Sequence, residues 1–124
     1  MASRKGRGVV VALAAAALAA LLLVPTASAH ESIVATAPSG TAKVGVRSAA
    51  VKFSGPIRSG TLKVFDAAGK KVSKGSGGRD PRNVSRVRTT LKNGLGPGKY
   101  TARVKWIGAD GHHQQASFSF RLVR

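Results

Sequence analysis

From residue 100 the chain reads Tyr-Thr-Ala-Arg-Val-Lys-Trp, and that alternation excludes most of the ways such a chain can fold. On an extended backbone successive side chains point to opposite faces, so Tyr100, Ala102, Val104 and Trp106 share one side while Thr101, Arg103 and Lys105 share the other. A helix would scatter the same four apolar groups around its axis. The pattern recurs with Val51 and Phe53 in "AAVKFS", Leu62 and Val64 in "TLKVFD", and Phe118, Phe120 and Leu122 in "ASFSFRLV". Each run predicts a strand with one dry face and one wet face. Turn-forming stretches lie between the runs: "PSG" at 38–40, "SGPIRSG" at 54–60, "DAAGKK" at 66–71, "KGSGGRDPRN" at 74–83, "KNGLGPGK" at 92–99 and "GADGHH" at 108–113. The stretch 74–83 is the densest in Gly and polar residues and is predicted as a mobile loop. No segment beyond residue 29 carries a helical period, and there is no internal repeat. Short strands with regular turns predict an all-β fold, a small Greek-key barrel or immunoglobulin-like sandwich. Within it, Tyr100 is expected to make a corner hydrogen bond to nearby backbone, and Trp106 to lie in the core.

The first 29 residues follow another rule. A basic start with Arg4, Lys5 and Arg7 leads into an apolar run over residues 9–24, then Pro25 and Ala27-Ser28-Ala29. A basic head, an apolar middle and a small-residue end describe a secretory signal peptide. The run is short against the roughly 20 apolar residues of a bilayer span, so a cleaved signal over 1–29 is favoured over an anchor. No Cys follows the run, so no lipid attachment is expected there. The remaining domain, 30–124, is expected to be soluble, monomeric, and periplasmic or secreted. The chain has no Cys at all, so the fold must rely on its apolar core without disulfides. Three of the 21 Lys and Arg residues precede residue 30 and all four acids follow it. Residues 30–124 thus hold 18 bases against four acids, a net charge of about +14. Such a charge suits anionic partners. The bases are spread along the chain except in Lys70-Lys71-Lys74 and Arg79-Arg82-Arg86-Arg88, and aromatics are too few for base stacking. A weak, general affinity for polyanions is the expectation.

Beyond residue 29 there are three histidines: His30, His112 and His113. Each has an ordinary explanation, His30 as an accident of the cut and "DGHH" as a polar turn. Together they form a candidate metal site. Cleavage after Ala29 converts the His30 nitrogen from an amide to an amine with a pKa of about 7.7–8.0, which can release its proton and donate to a metal. A histidine at that one position therefore offers two nitrogen donors. If residues 110–112 are extended, alternation puts Asp110 and His112 on one side, and the set becomes three nitrogens and an oxygen. Such donors suit Cu(II), though Zn(II) and Ni(II) also accept them. There is no thiolate, and the only Met is Met1, so soft Cu(I) has no evident site. His113 falls on the opposite side, as a solvated residue, an alternative ligand or a group supporting the ligands from behind.

On these residues the chain resembles the CopC-type family of copper-resistance and copper-carrier proteins. The resemblance runs through "AHESIVATAPSG", "VKFSGPI", "LKVFDAAGKKV", "LGPGKYTARVKW" and "GADGHHQQASFSFRLV". It implies export, a small Greek-key β fold and Cu(II) bound by His30, Asp110 and His112, with one ion per chain. It also implies copper buffering, resistance or delivery, with a membrane copper transporter as a partner. Two features depart from the family pattern. The Met-rich Cu(I) site of some members is absent, and His113 stands where a small residue or proline is usual. Two other functions compete with the carrier. One is a basic sandwich adhering to anionic wall polymer or nucleic acid; the other is a copper-dependent oxidative enzyme. The enzyme is disfavoured because the domain is small and Asp110 as a ligand would fill a position that oxygen needs.

Overall fold

The computed structural model describes residues 30–124, and among them the chain forms strands and turns with no helix. The predicted signal segment, 1–29, lies outside the described residues. Eight strands follow in order: β1 (Ile33–Ala37), β2 (Gly40–Lys43), β3 (Ser48–Phe53), β4 (Ile57–Phe65), β5 (Ser73–Asp80), β6 (Asn83–Leu91), β7 (Gly98–Gly108) and β8 (His113–Val123). They make two four-stranded sheets, ordered β1-β3-β6-β5 and β2-β8-β7-β4. All pairs are antiparallel except β2 with β8. The first strand thus edges one sheet, and the chain then crosses at Pro38 to edge the other. This is the immunoglobulin-like sandwich expected from the strand pattern.

The core lies between the sheets and is built from the alternating faces. Along β7, Tyr100, Ala102, Val104 and Trp106 are buried, while Arg103 and Lys105 are exposed. The rings of Phe53 and Trp106 pack 4.7 Å apart across the two sheets, and Tyr100 stacks on Phe120 within one sheet at 5.5 Å. Each fully buried Val, Leu or Phe contributes about 1.5–3 kcal/mol, which explains how the fold stands without a disulfide. The Tyr100 hydroxyl donates to the Gly96 carbonyl at 2.7 Å, the expected corner hydrogen bond. Burial, and after it the Asp66 carboxylate, raises the Tyr100 phenol above its ordinary range, so it remains a donor.

The loop predicted at 74–83 is instead strand β5 and a tight turn. Its glycines serve an irregular strand. Pairing with β6 skips between Lys74 and Gly78, so the strand bulges. Gly77 sits at the bulge with φ +65°, and a β-carbon there would lie 2.6 Å from the Arg88 carbonyl oxygen. The turn is closed by Asp80, which is buried and accepts from the Arg82 amide. Composition signalled backbone freedom correctly, but pairing with β6 used that freedom for a bulge. Likewise, the turn predicted over 54–60 ends at Pro56, and β4 takes the rest. Gly77→Ala is expected to destabilise the fold by about 2 kcal/mol or more, through steric overlap and a positive φ. Gly78→Ala, where a β-carbon meets nothing within 4 Å, should stay within about 0.5 kcal/mol of the parent in urea denaturation.

Candidate metal centre

The β7–β8 hairpin is closed by a short turn over Ala109, Asp110 and Gly111. Gly108 N–H donates to the His112 carbonyl at 3.0 Å, and Gly111 N–H donates to the Gly108 carbonyl at 3.0 Å. Gly111 takes φ +85°, a conformation that other residues avoid. Asp110 Oδ1 accepts from the His112 amide at 3.0 Å, the local bond that makes Asp a turn former. The turn expected at 108–113 is present, and the extended arrangement of 110–112, on which the same-side placement of Asp110 and His112 was conditional, is not. A turn, not strand alternation, brings Asp110 and His112 together.

The N-terminal segment runs alongside this hairpin. Ser32 is tied to Ser54 by two hydrogen bonds, Ser32 N–H to Ser54 Oγ at 2.9 Å and Ser54 N–H to the Ser32 carbonyl at 2.8 Å. One residue earlier, Glu31 is buried, and its Oε1 accepts from the Ala109 amide at 3.1 Å. Its other oxygen lies against the Gly108 α-carbon, where a side chain at 108 would collide with it. That oxygen, Oε2, is buried without a hydrogen-bond partner. Glu31 thus latches the first of the described residues onto the β7–β8 turn. Sequence reasoning treated it only as one acid among four. The signal was there in its position, a carboxylate beside His30 in a strongly basic domain.

With the latch in place, His30 meets the turn. Its Nδ1 is 3.1 Å from Asp110 Oδ2, and His112 Nδ1 is 2.8 Å from the same oxygen. The two imidazoles stand edge to face, 4.9 Å between centroids. One donor atom from each of His30, Asp110 and His112 lies within 4.8 Å of the others. Gln114 Nε2 stands 3.4 Å from His30 Nδ1. The carboxyl is the sheltered member, its side chain 16% exposed against 51% and 69% for His30 and His112. The side-chain hydrogen bond with His112 lowers the Asp110 pKa most, then the His112 amide, with smaller help from the charges of His112 and His30. A carboxyl held below its ordinary range keeps this pairing at neutral pH and loses it only as pH falls through that depressed value. His113 opens β8 and is exposed, outside the cluster. The Arg58 guanidinium lies against Gly111, where a β-carbon would be 3.5 Å from its Nη1.

Three donors of nitrogen and oxygen type, gathered within 4.8 Å of one another, are a fit to a divalent transition metal of borderline hardness. The "CopC domain" family model matches residues 31–123, which is all of the described chain except its first and last residue. The crystal structure of CopC from Methylosinus trichosporium OB3b superimposes with a TM-score of 0.62 at 20% identity, covering 75% of this chain and 93% of that one. PcoC from Escherichia coli, described as a methionine-rich copper resistance protein, gives 0.59 at 18% identity, covering 77% of this chain and 100% of that one. Among curated proteins, none matches this chain at a significant level of sequence similarity.

Replacing Glu31 tests the latch. Glu31→Ala leaves the Ala109 amide without its acceptor and is expected to cost about 1–3 kcal/mol. The sharper readout is amide hydrogen exchange by NMR. The Ala109 amide should exchange much faster in the variant, and the His30 ring resonances should move toward those of an unstructured histidine.

Proposed function

The chain belongs to the CopC domain family, and on that premise we propose that it is an exported Cu(II)-binding protein holding one ion per chain between its own N-terminus and the β7–β8 turn. The observation that carries this reading is the convergence of His30 with Asp110 and His112 from opposite ends of the domain. Copper is the cargo. The relative from Escherichia coli is described as a copper resistance protein, and the donor chemistry here agrees with that metal.

In this reading residues 1–29 are a signal peptide, and 30–124 is the working domain. Removal of the signal supplies the donor that the uncut chain lacks. Before the cut the His30 nitrogen is an amide whose lone pair is tied up in resonance. After the cut it is an amine with a near-neutral pKa, and the same residue supplies its imidazole. His30 Nδ1, the ring nitrogen on the side of its own backbone, faces Asp110. Amine, two imidazoles and a carboxylate make a nitrogen-rich set that favours Cu(II) over softer Cu(I). PcoC is methionine-rich, whereas the one methionine here is Met1, ahead of the cut. The exposed imidazoles leave the site accessible to a partner, as buffering or delivery to a membrane copper transporter requires. With Asp110 as a ligand, the account is of a carrier and not of an oxygen-activating enzyme.

Copper titration of two forms of the metal-free protein tests this. The form beginning at His30 should bind Cu(II) with an EPR spectrum showing nitrogen couplings. A form with one extra residue before His30 should bind it weaker by on the order of 100-fold or more, beyond the usual effect of losing a supporting group. His113→Ala should leave affinity nearly unchanged. Equal affinity of the two termini would remove the amine from the site.

A further inference from the structure

We propose that the outer face of the β2-β8-β7-β4 sheet is a second binding surface, one that docks a linear polymer of phosphate groups along a trough over β7 and β8. The four strands of this sheet carry seven Lys and Arg residues and no acid, whereas the other sheet's strands carry five and one, with Asp80 approaching Arg86 at 3.9 Å. All seven are exposed. The domain's four acids are engaged elsewhere. Glu31 holds Ala109, Asp66 and Asp80 close their own turns, and Asp110 sits with the histidines. Among the described residues none of the seven forms an ion pair.

Register makes the imbalance sharper. Lys63 stands directly opposite Arg103, and Lys99 directly opposite Arg121. Like charges in cross-strand pairs are destabilising. A surface that keeps two such pairs, with no carboxylate between them, is relieved by an external anion. Arg103 rests on the Phe65 ring, 4.9 Å from its centroid, so its guanidinium is held over the sheet.

Shape decides between anions. Two adjoining grooves of roughly 560 and 370 Å³ share Lys105 and Gln115 and run along β7 and β8. One reaches Arg103 and Ser117, the other Ser59, Thr61 and His113. The trough sets cations, hydroxyls and amides along a floor that also includes Val104, Trp106 and Ile107, and its elongated shape fits a chain of phosphates better than a flat bilayer. Outward-facing aromatics for base stacking are missing from these strands apart from Phe65, which Arg103 covers, so phosphates and not bases are what the face can read. This gives the net charge a location. It does not depend on copper.

The test uses metal-free protein beginning at His30, with long-chain inorganic polyphosphate as the probe and affinity measured at several salt concentrations. The face variant Lys63→Gln/Lys105→Gln/Arg121→Gln is compared with Lys52→Gln/Lys74→Gln/Arg88→Gln, which removes the same charge from the other sheet. The face variant should lose about tenfold or more in affinity and flatten the slope of log K against log salt by about 2, while the control changes little. Polyphosphate should raise the melting temperature of the parent, and the face variant alone should melt no lower than the parent, since one member of each like pair is gone. Equal loss in both triple variants would reduce the effect to net charge and overturn the proposal. So would vesicles containing phosphatidylglycerol binding more tightly than polyphosphate through the same face, which would make the partner a membrane.

Discussion

One hydrogen bond joins the segment carrying His30 to the hairpin carrying Asp110 and His112. Glu31 Oε1 accepts from the Ala109 amide across 78 residues of chain. Segments outside the strands need tying down to hold one position, and His30 stands three residues ahead of the first strand. Without the latch, His30 would sample solvent while Asp110 and His112 waited on a rigid hairpin. With it, His30 is placed against a preformed pair. The rest of the fold serves this junction. The sandwich core fixes β7 and β8, the hairpin fixes the turn, and the buried Glu31 carboxylate fixes the segment around His30 to it. Gly108 is part of the same joint, because any side chain there would displace the Glu31 carboxylate.

The electrostatics divide the surface into two kinds of place. Over most of it the field is positive, and a positive field repels cations and attracts anions. Capture of a metal cation therefore depends on local chemistry strong enough to override the global charge. Asp110 provides it, a carboxylate held ionised by its two histidine neighbours. Asp110 stands where a cation is proposed to bind, and the sheet whose strands carry no acid stands where an anion is. The Arg58 guanidinium beside Gly111 marks the border between them.

The strands and their faces were legible in the sequence because burial and exposure alternate with the period of the backbone. β7 follows that rule at every position from Tyr100 to Trp106. Tyr100 and Trp106 were legible for the same reason. β5 was not, because a bulged, Gly-rich strand has no alternation to read and looks like a loop. The three members of the candidate site could be named from residue type, but the way they meet could not. A turn was legible at 108–113, but the same-side placement of Asp110 and His112 was argued from extension, whereas an Asp-stabilised turn with Gly111 at positive φ produces it. Glu31 was missed because its role exists only once the N-terminus and the hairpin are neighbours, and that contact is a product of the fold alone. The cationic sheet face was hidden likewise. Its bases are dispersed in sequence and are gathered only by strand pairing.

The central claim is that the start of the processed chain and the β7–β8 turn share one copper ion. The most direct test is a crystal structure of the Cu(II)-loaded protein beginning at His30. The account requires copper bonded to the His30 α-nitrogen and imidazole, to His112 and to Asp110, with Glu31 still accepting from Ala109. Copper held by His112 and His113, with the terminal amine turned to solvent, would contradict it.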